Sequence, residues 1–173
     1  MNTPPIGRKL NILLAEDDSA DCLLFKEALE ELPVSAQLTT ISNGEQLIKW
    51  LSKKGRKLPD VLFLDLNMPR KNGFASLGEI KRNTEWQDLP VIIFSTASDE
   101  AMIRQVYRDA AHYYIRKPNK FQELKDVLYK ALVLVAERTL SLPGKKDFVL
   151  ASESKPSPRE TPEPLQNSPG KTG

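Results

Sequence analysis

The chain has 173 residues and 19.5 kDa, the size of one domain with an appendage, and its 40% hydrophobic and 28% charged residues suffice for a packed core. A formal net charge of +2 gives no field able to hold a nucleic acid or an anionic membrane surface. One cysteine, Cys22, and one histidine, His112, exclude an internal disulfide and a His-rich metal centre.

The opening stretch, Met1 to Leu10, carries Pro4, Pro5 and Gly7, and the apolar run after it ends in three acids. It reads as neither a signal peptide nor a membrane span, so a reducing cytoplasmic setting is expected. From Leu10 to Ala15 the run predicts a buried strand. Ala20 to Leu32 predicts a helix, with Leu24, Ala28 and Leu32 on one stripe and Pro33 as its stop. Ala36 to Ile41 is an edge-like strand and Gly44 to Leu51 a short helix. Val61 to Leu64 is apolar throughout, as in a strand covered on both faces. Phe74, Leu77 and Ile80 mark a third helix, and Val91 to Phe94 a fourth strand. Met102, Val106 and Ala110 stripe a fourth helix, Tyr113 to Ile115 form a fifth strand, and Phe121 to Leu140 a long last helix.

Five strand-then-helix units require a parallel sheet with right-handed crossovers and helices on both faces. The expected division is a flexible head, residues 1–8, a domain over 9–142 and a tail over 143–173. The tail holds Pro143, Pro156, Pro158, Pro162, Pro164 and Pro169 among Ser, Lys and Glu, a composition that predicts disorder. Its apolar island, Phe148 to Leu150, is the one part expected to be able to dock on the domain.

In open parallel sheets, ligands bind beyond the carboxyl ends of the strands, near the point where strand order reverses. There the sequence puts Glu16, Asp17 and Asp18 after the first strand, Asp65 after the third, Ser95 and Thr96 after the fourth, and Lys117 after the fifth. Three crowded carboxylates repel one another unless a cation joins them, and hard oxygen donors without His or Cys suit Mg2+. A carboxylate nucleophile, a metal, a hydroxyl and an ammonium are what phosphoryl transfer asks of a protein. Singly, each residue could be a helix cap, a turn residue or a solvated charge, and Asp17 or Asp18 could cap the first helix. Four strands carrying complementary chemistry on one edge make that joint coincidence untenable. The Lys117-Pro118 bond could take either isomer.

The segments Ile12 to Asp18, Leu62 to Pro69, Arg70 to Phe74, Phe94 to Ser98 and Tyr114 to Pro118 resemble, in order and spacing, the receiver domain of two-component response regulators. The resemblance covers residues 9 to 140 and implies a flavodoxin-like, doubly wound, five-stranded sheet in the order 2-1-3-4-5. It further implies that Asp65 is the phospho-acceptor and that Glu16, acting mostly through water, and Asp17 bind Mg2+ with Asp65. The backbone carbonyl of Asn67 would complete the metal's protein ligands. Thr96 becomes the switch hydroxyl, Lys117 the phosphate-pairing lysine, and Tyr114 the aromatic ring that swings inward with Thr96. One departure is Ala110-Ala111, where a Gly-Ala pair is usual.

About thirty polar residues beyond the last helix are too few for a DNA-binding output domain, so a stand-alone receiver is expected, similar to those that pair with phytochrome-type or hybrid sensor kinases. The phosphoryl donor is then another protein, a sensor histidine kinase, since His112 reads as a turn or edge residue. Cys22 reads as a packing residue, and Trp50 and Trp86 as caps on core edges. The run Ala131 to Ala136 is apolar all round, which suggests a two-fold homodimer through the fourth and fifth helices and the fifth strand, or else burial beneath Phe148 to Leu150. The chain is not read as an enzyme. An Mg2+-dependent phosphohydrolase working through an aspartyl phosphate would want an acid two residues after its nucleophile, where Asn67 stands. A flavin module would want a phosphate-cradling loop where the acids stand.

Overall fold

The computed structural model describes residues 6–137 and 141–152. Strand β1 (Ile6–Ala15) leads to helix α1 (Ser19–Glu30), β2 (Val34–Ile41), α2 (Gly44–Leu51), β3 (Val61–Leu64), α3 (Gly73–Arg82), β4 (Val91–Ser95), α4 (Glu100–Arg108), β5 (Tyr113–Arg116), α5 (Phe121–Ala136) and the two-residue β6 (Val149–Leu150). All strand pairs are parallel, in the order β2-β1-β3-β4-β5-β6.

Period-two alternation in fully apolar strands splits the interior into two cores. Leu10, Ile12 and Leu14 of β1, Phe63 of β3 and Phe94 of β4 meet α1 and α5 on one face, where Phe25 stacks edge-on against Phe63 and Phe94. Leu13, Leu62, Leu64 and Ile93 meet α2, α3 and α4 on the other. The doubly wound parallel sheet of the sequence reading is therefore present.

Three features differ from that reading. Among the described residues the sheet has six strands, because the chain after α5 lays Val149 and Leu150 beside Tyr114 and Ile115. Phe148 is buried and its carbonyl accepts from the Tyr114 N–H at 2.9 Å, so the expected unstructured tail begins too early at 143. The remaining tail prolines, Pro156 to Pro169, lie outside the described residues, as do Met1 to Pro5 of the expected head and the last residues of the helix expected to reach Leu140. Ile6 to Arg8 are not a flexible head but the start of β1, with Ile6 opposite Val34 and the Arg8 guanidinium 2.7 Å from the Asp60 carboxylate.

Ala110 is not helical. With φ at +64°, it is the left-handed residue of a Schellman turn closing α4, in which the N–H groups of Ala110 and Ala111 donate to the carbonyls of Tyr107 and Val106. Among the described residues there is no cis peptide bond, so Lys117-Pro118 is trans. No helix among them is long and apolar enough to cross a membrane.

Candidate functional site

The order β2-β1-β3 places the reversal of strand sequence between β1 and β3, and their carboxyl ends are laced together there. The Asp65 N–H donates to Ala15 O at 3.0 Å, and the Glu16 N–H to Ile41 O at 2.9 Å. Lys117 is tied to β4 by its N–H, which donates to Ser95 O at 2.9 Å. These ladder bonds bring residues 16, 65 and 117 to one basin although they are far apart in the chain.

Within the basin, carboxylate oxygens of Glu16, Asp17 and Asp65 lie within 4.8 Å of one another. Asp18, rather than Asp17, caps α1, accepting from the N–H groups of Ala20 and Asp21 at 2.8 and 3.1 Å, which leaves Asp17 to the cluster. The Lys117 ammonium is hydrogen-bonded to Glu16, lies 2.8 Å from Asp21 Oδ2, and is 3.9 Å from Asp65 Oδ2. Phe94 supports it from below with its ring centroid 5.4 Å away.

Electrostatics follow from burial. Desolvation raises the Asp65 carboxyl above its ordinary value and Asp17 adds to this, while Lys117 and the N–H groups of Asn67 and Leu66 oppose it. Glu16 is raised by burial and by Asp65, against its bond to Lys117. Burial pushes the Lys117 ammonium down, but hydrogen bonds to Asp21 and Glu16 and the charge of Asp65 reverse the sign, so its net shift is upward. The three-acid set holds only hard oxygen donors, which fits a small divalent cation and not a soft one.

The loop leaving β3 is shaped by a contact that sequence reasoning missed. Gly73 donates its N–H to Leu66 O at 3.0 Å, and a Cβ there would meet the Asp65 carbonyl oxygen and, at 2.7 Å, the Leu66 Cα. Only glycine lets α3 start this close to the acceptor strand. Asn72 caps α3, accepting from the Ala75 N–H at 2.9 Å. Asn67 is exposed in this loop, its N–H directed to Asp65.

Thr96 is exposed immediately beyond β4. Tyr114 is fully buried, its hydroxyl donating to Ala97 O at 2.7 Å in the loop that carries Thr96. The ring that the sequence reading expected to swing inward is thus already inside, walled by Phe148, whose ring centroid is 6.4 Å away. Asp21 is the other residue overlooked. Its signal was its place in the first turn of α1, three residues after the Asp18 cap and on the carboxyl edge of β1.

His112 and Cys22 are accounted for without chemistry. The His112 Nδ1 accepts from the Val91 N–H at 3.3 Å at the opposite end of the sheet. The Cys22 thiol donates to Glu16 O, and burial followed by the carboxylates of Glu16, Asp21 and Asp18 raises its pKa, keeping it protonated. Trp86 is buried in the core, and Trp50 carries Arg56 4.1 Å above its ring.

The sequence model of the response regulator receiver domain matches residues 12–129. The chain belongs to this family. It is a receiver of two-component systems, the partner in the relay that takes a phosphoryl group. Among its curated relatives, this receiver is 31% identical over 117 residues to a probable methanogenesis regulatory protein, FilR2, of Methanothrix harundinacea, covering 66% of this chain and 76% of that protein. It is 30% identical over 117 residues to response regulator Rcp1 of Synechocystis sp., covering 65% and 80%. Among solved structures, the phosphorylated cyanobacterial phytochrome response regulator RcpA superposes with a TM-score of 0.68 at 30% identity, over 79% of this chain and all of that one. The Mn2+-bound form of Rcp1 superposes with a TM-score of 0.66 at 27% identity, over 78% and 99%.

Proposed function

We propose that this receiver takes its phosphoryl group on Asp65 from the phosphohistidine of a sensor kinase, in an Mg2+-dependent reaction. The observation that carries the reading is the convergence of three carboxylates and one ammonium on the carboxyl edge of β1, β3 and β5. A carboxylate oxygen of Asp65 forms a bond to phosphorus, the donor's P–N bond breaks, and the electron pair leaves on the imidazole nitrogen. Glu16, Asp17, Asp65 and the Asn67 carbonyl would hold the metal, with Glu16 acting largely through water because Lys117 occupies one of its oxygens. When bound, Mg2+ supplies positive charge to the phosphoryl oxygens. Lys117 supplies a second positive charge and Thr96 a hydroxyl donor that turns toward the group.

The donor lies outside this chain, since the His112 ring is buried at the far end of the sheet. The likeness to Rcp1 and RcpA supports a phytochrome-type or hybrid kinase as that donor. Output is read from α4, β5 and α5, through Thr96 and the loop to which Tyr114 is bonded. A homodimer through this face would have to form over Phe148 and β6, which already cover the edge of β5. Light scattering over a concentration series tests it, a strictly monomeric species counting against the dimer. The hydrolase reading gains no support, because the position two residues beyond Asp65 is the amide Asn67.

Incubation with acetyl phosphate and Mg2+ should give an acid-labile phosphate on the chain, and Asp65→Asn should abolish it. Full labelling of Asp65→Asn would remove the acceptor.

A further inference from the structure

Lys117 has three carboxylate neighbours and is not closest to the one it is expected to serve. Its ammonium is hydrogen-bonded to Glu16 and to Asp21, at 2.8 Å from Oδ2, while the Asp65 oxygen is 3.9 Å away, beyond hydrogen-bond reach. The two near partners differ in how easily they can be given up. The Glu16 side chain is 1% exposed, so losing its cation would strand a charge away from water. The Asp21 side chain is 33% exposed and stands on the first turn of α1, where water can replace the ammonium at small cost.

We propose that Asp21 is a positioning residue for phosphoryl transfer: in the unmodified receiver it holds the Lys117 ammonium on the α1 side of the basin, and it is the partner Lys117 relinquishes when a phosphoryl group arrives on Asp65. The inference rests on the reading of Asp65 as acceptor. The Asp21 carboxylate competes with the phosphoryl oxygens for one ammonium and adds a negative charge to a basin that must accept another anion. Removing that charge favours the modified state. Asp21→Asn is nearly isosteric and leaves the Asp18 cap in place. Asp21→Glu keeps the charge and restores it to Lys117 by a longer arm.

The test measures the lifetime of phosphate on the full chain after labelling with acetyl phosphate and Mg2+. In parallel, the side-chain NMR signal of Lys117, assigned by its loss in Lys117→Met, is recorded in the unmodified, metal-free protein. Asp21→Asn should lengthen the phosphate lifetime about three- to fivefold, the range of a partly exposed ion pair. It should also move the Lys117 signal, and Asp21→Glu should return both toward the parent values. A merely structural role for Asp21 would lower the melting temperature without moving the Lys117 signal, and that result overturns the inference. So does an unchanged phosphate lifetime in an Asp21→Asn protein that still labels, an outcome that leaves Asp65 as acceptor. Failure of the parent chain itself to label would overturn both.

Discussion

Two lysines sit half-buried at opposite ends of the same sheet, and their surroundings make them different chemical groups. At the carboxyl end, Lys117 lies among Glu16, Asp21 and Asp65, and its ammonium is held above its ordinary pKa despite burial. At the amino end, Lys81 of α3 donates to the carbonyls of Gln87 and Leu89 at 3.0 and 2.9 Å. Burial takes its pKa down to about 8, with Asp88 opposing. Beside it, burial and then Lys81 hold His112 down to about 4, again against Asp88. A buried cation alone marks no functional site. Carbonyl dipoles satisfy an ammonium and close the matter, whereas carboxylates in excess of cations leave a site that gains from a further positive charge.

The largest expected effect falls on the carboxyl end. Gly73→Ala drives a methyl group into the Asp65 backbone and should cost about 3 kcal/mol in urea unfolding, because neither the strand nor the start of α3 can yield. Phosphate labelling should fall with it. A stable, fully labelled variant would show that the loop after β3 is softer than its geometry indicates.

The second prediction uses pH, for which the two ends have opposite signs. His112 and Lys81 have folded pKa values below their unfolded ones, so the unfolded chain binds more protons and stability rises with pH. The windows run from about 4 to 6.5 for His112 and from about 8 to 10.5 for Lys81. Glu16 and Asp65 are raised, so the folded chain binds more protons above their ordinary values, and stability falls as pH rises through the folded values. Each proton is worth up to about 1.4 kcal/mol per pH unit. His112→Gln should flatten the rise between pH 4 and 6.5, and Lys81→Met the rise above pH 8. Asp65→Asn should remove part of the opposing fall. Parallel curves for parent and variants would erase the contrast between the two ends.

The smallest effect lies at the amino end, in the turn after α4 that leads into His112. Ala110 holds φ at +64°, where a Cβ is disfavoured, so Ala110→Gly should stabilise the metal-free chain by about 1 kcal/mol in thermal unfolding. Phosphate labelling is the control that locates the gain outside the basin.

What could be read in the sequence follows from what carries the signal. β1 from Ile12, β3 and β4 announce themselves because burial on both faces leaves Ile12 to Ala15, Val61 to Leu64 and Val91 to Phe94 apolar, and the acids Glu16, Asp17 and Asp65 at their ends stand out against that background. β6 does not, since a two-residue strand in a Pro-, Ser- and Lys-bearing stretch owes its pairing to Tyr114 and to Phe148 packing edge-on against Tyr107, 5.1 Å away. Ile6 to Arg8 were hidden for a like reason, half-exposed beside β2 and fastened by a long-range pair with Asp60. The chemistry of the basin was legible residue by residue. The partner choice of Lys117 and the approach of Gly73 to Asp65 were not, because each is a distance between segments that no local pattern encodes.

The central claim, that Asp65 alone is the acceptor, is tested most directly by reducing the acetyl phosphate-treated chain with borohydride and mapping its peptides by mass spectrometry. Acyl phosphate at Asp65 should appear as homoserine at position 65 and nowhere else, and only when Mg2+ was present. Homoserine at Asp17 or Asp21, a reduced product at Glu16, or an unmodified Asp65 in a chain that carries phosphate would contradict it.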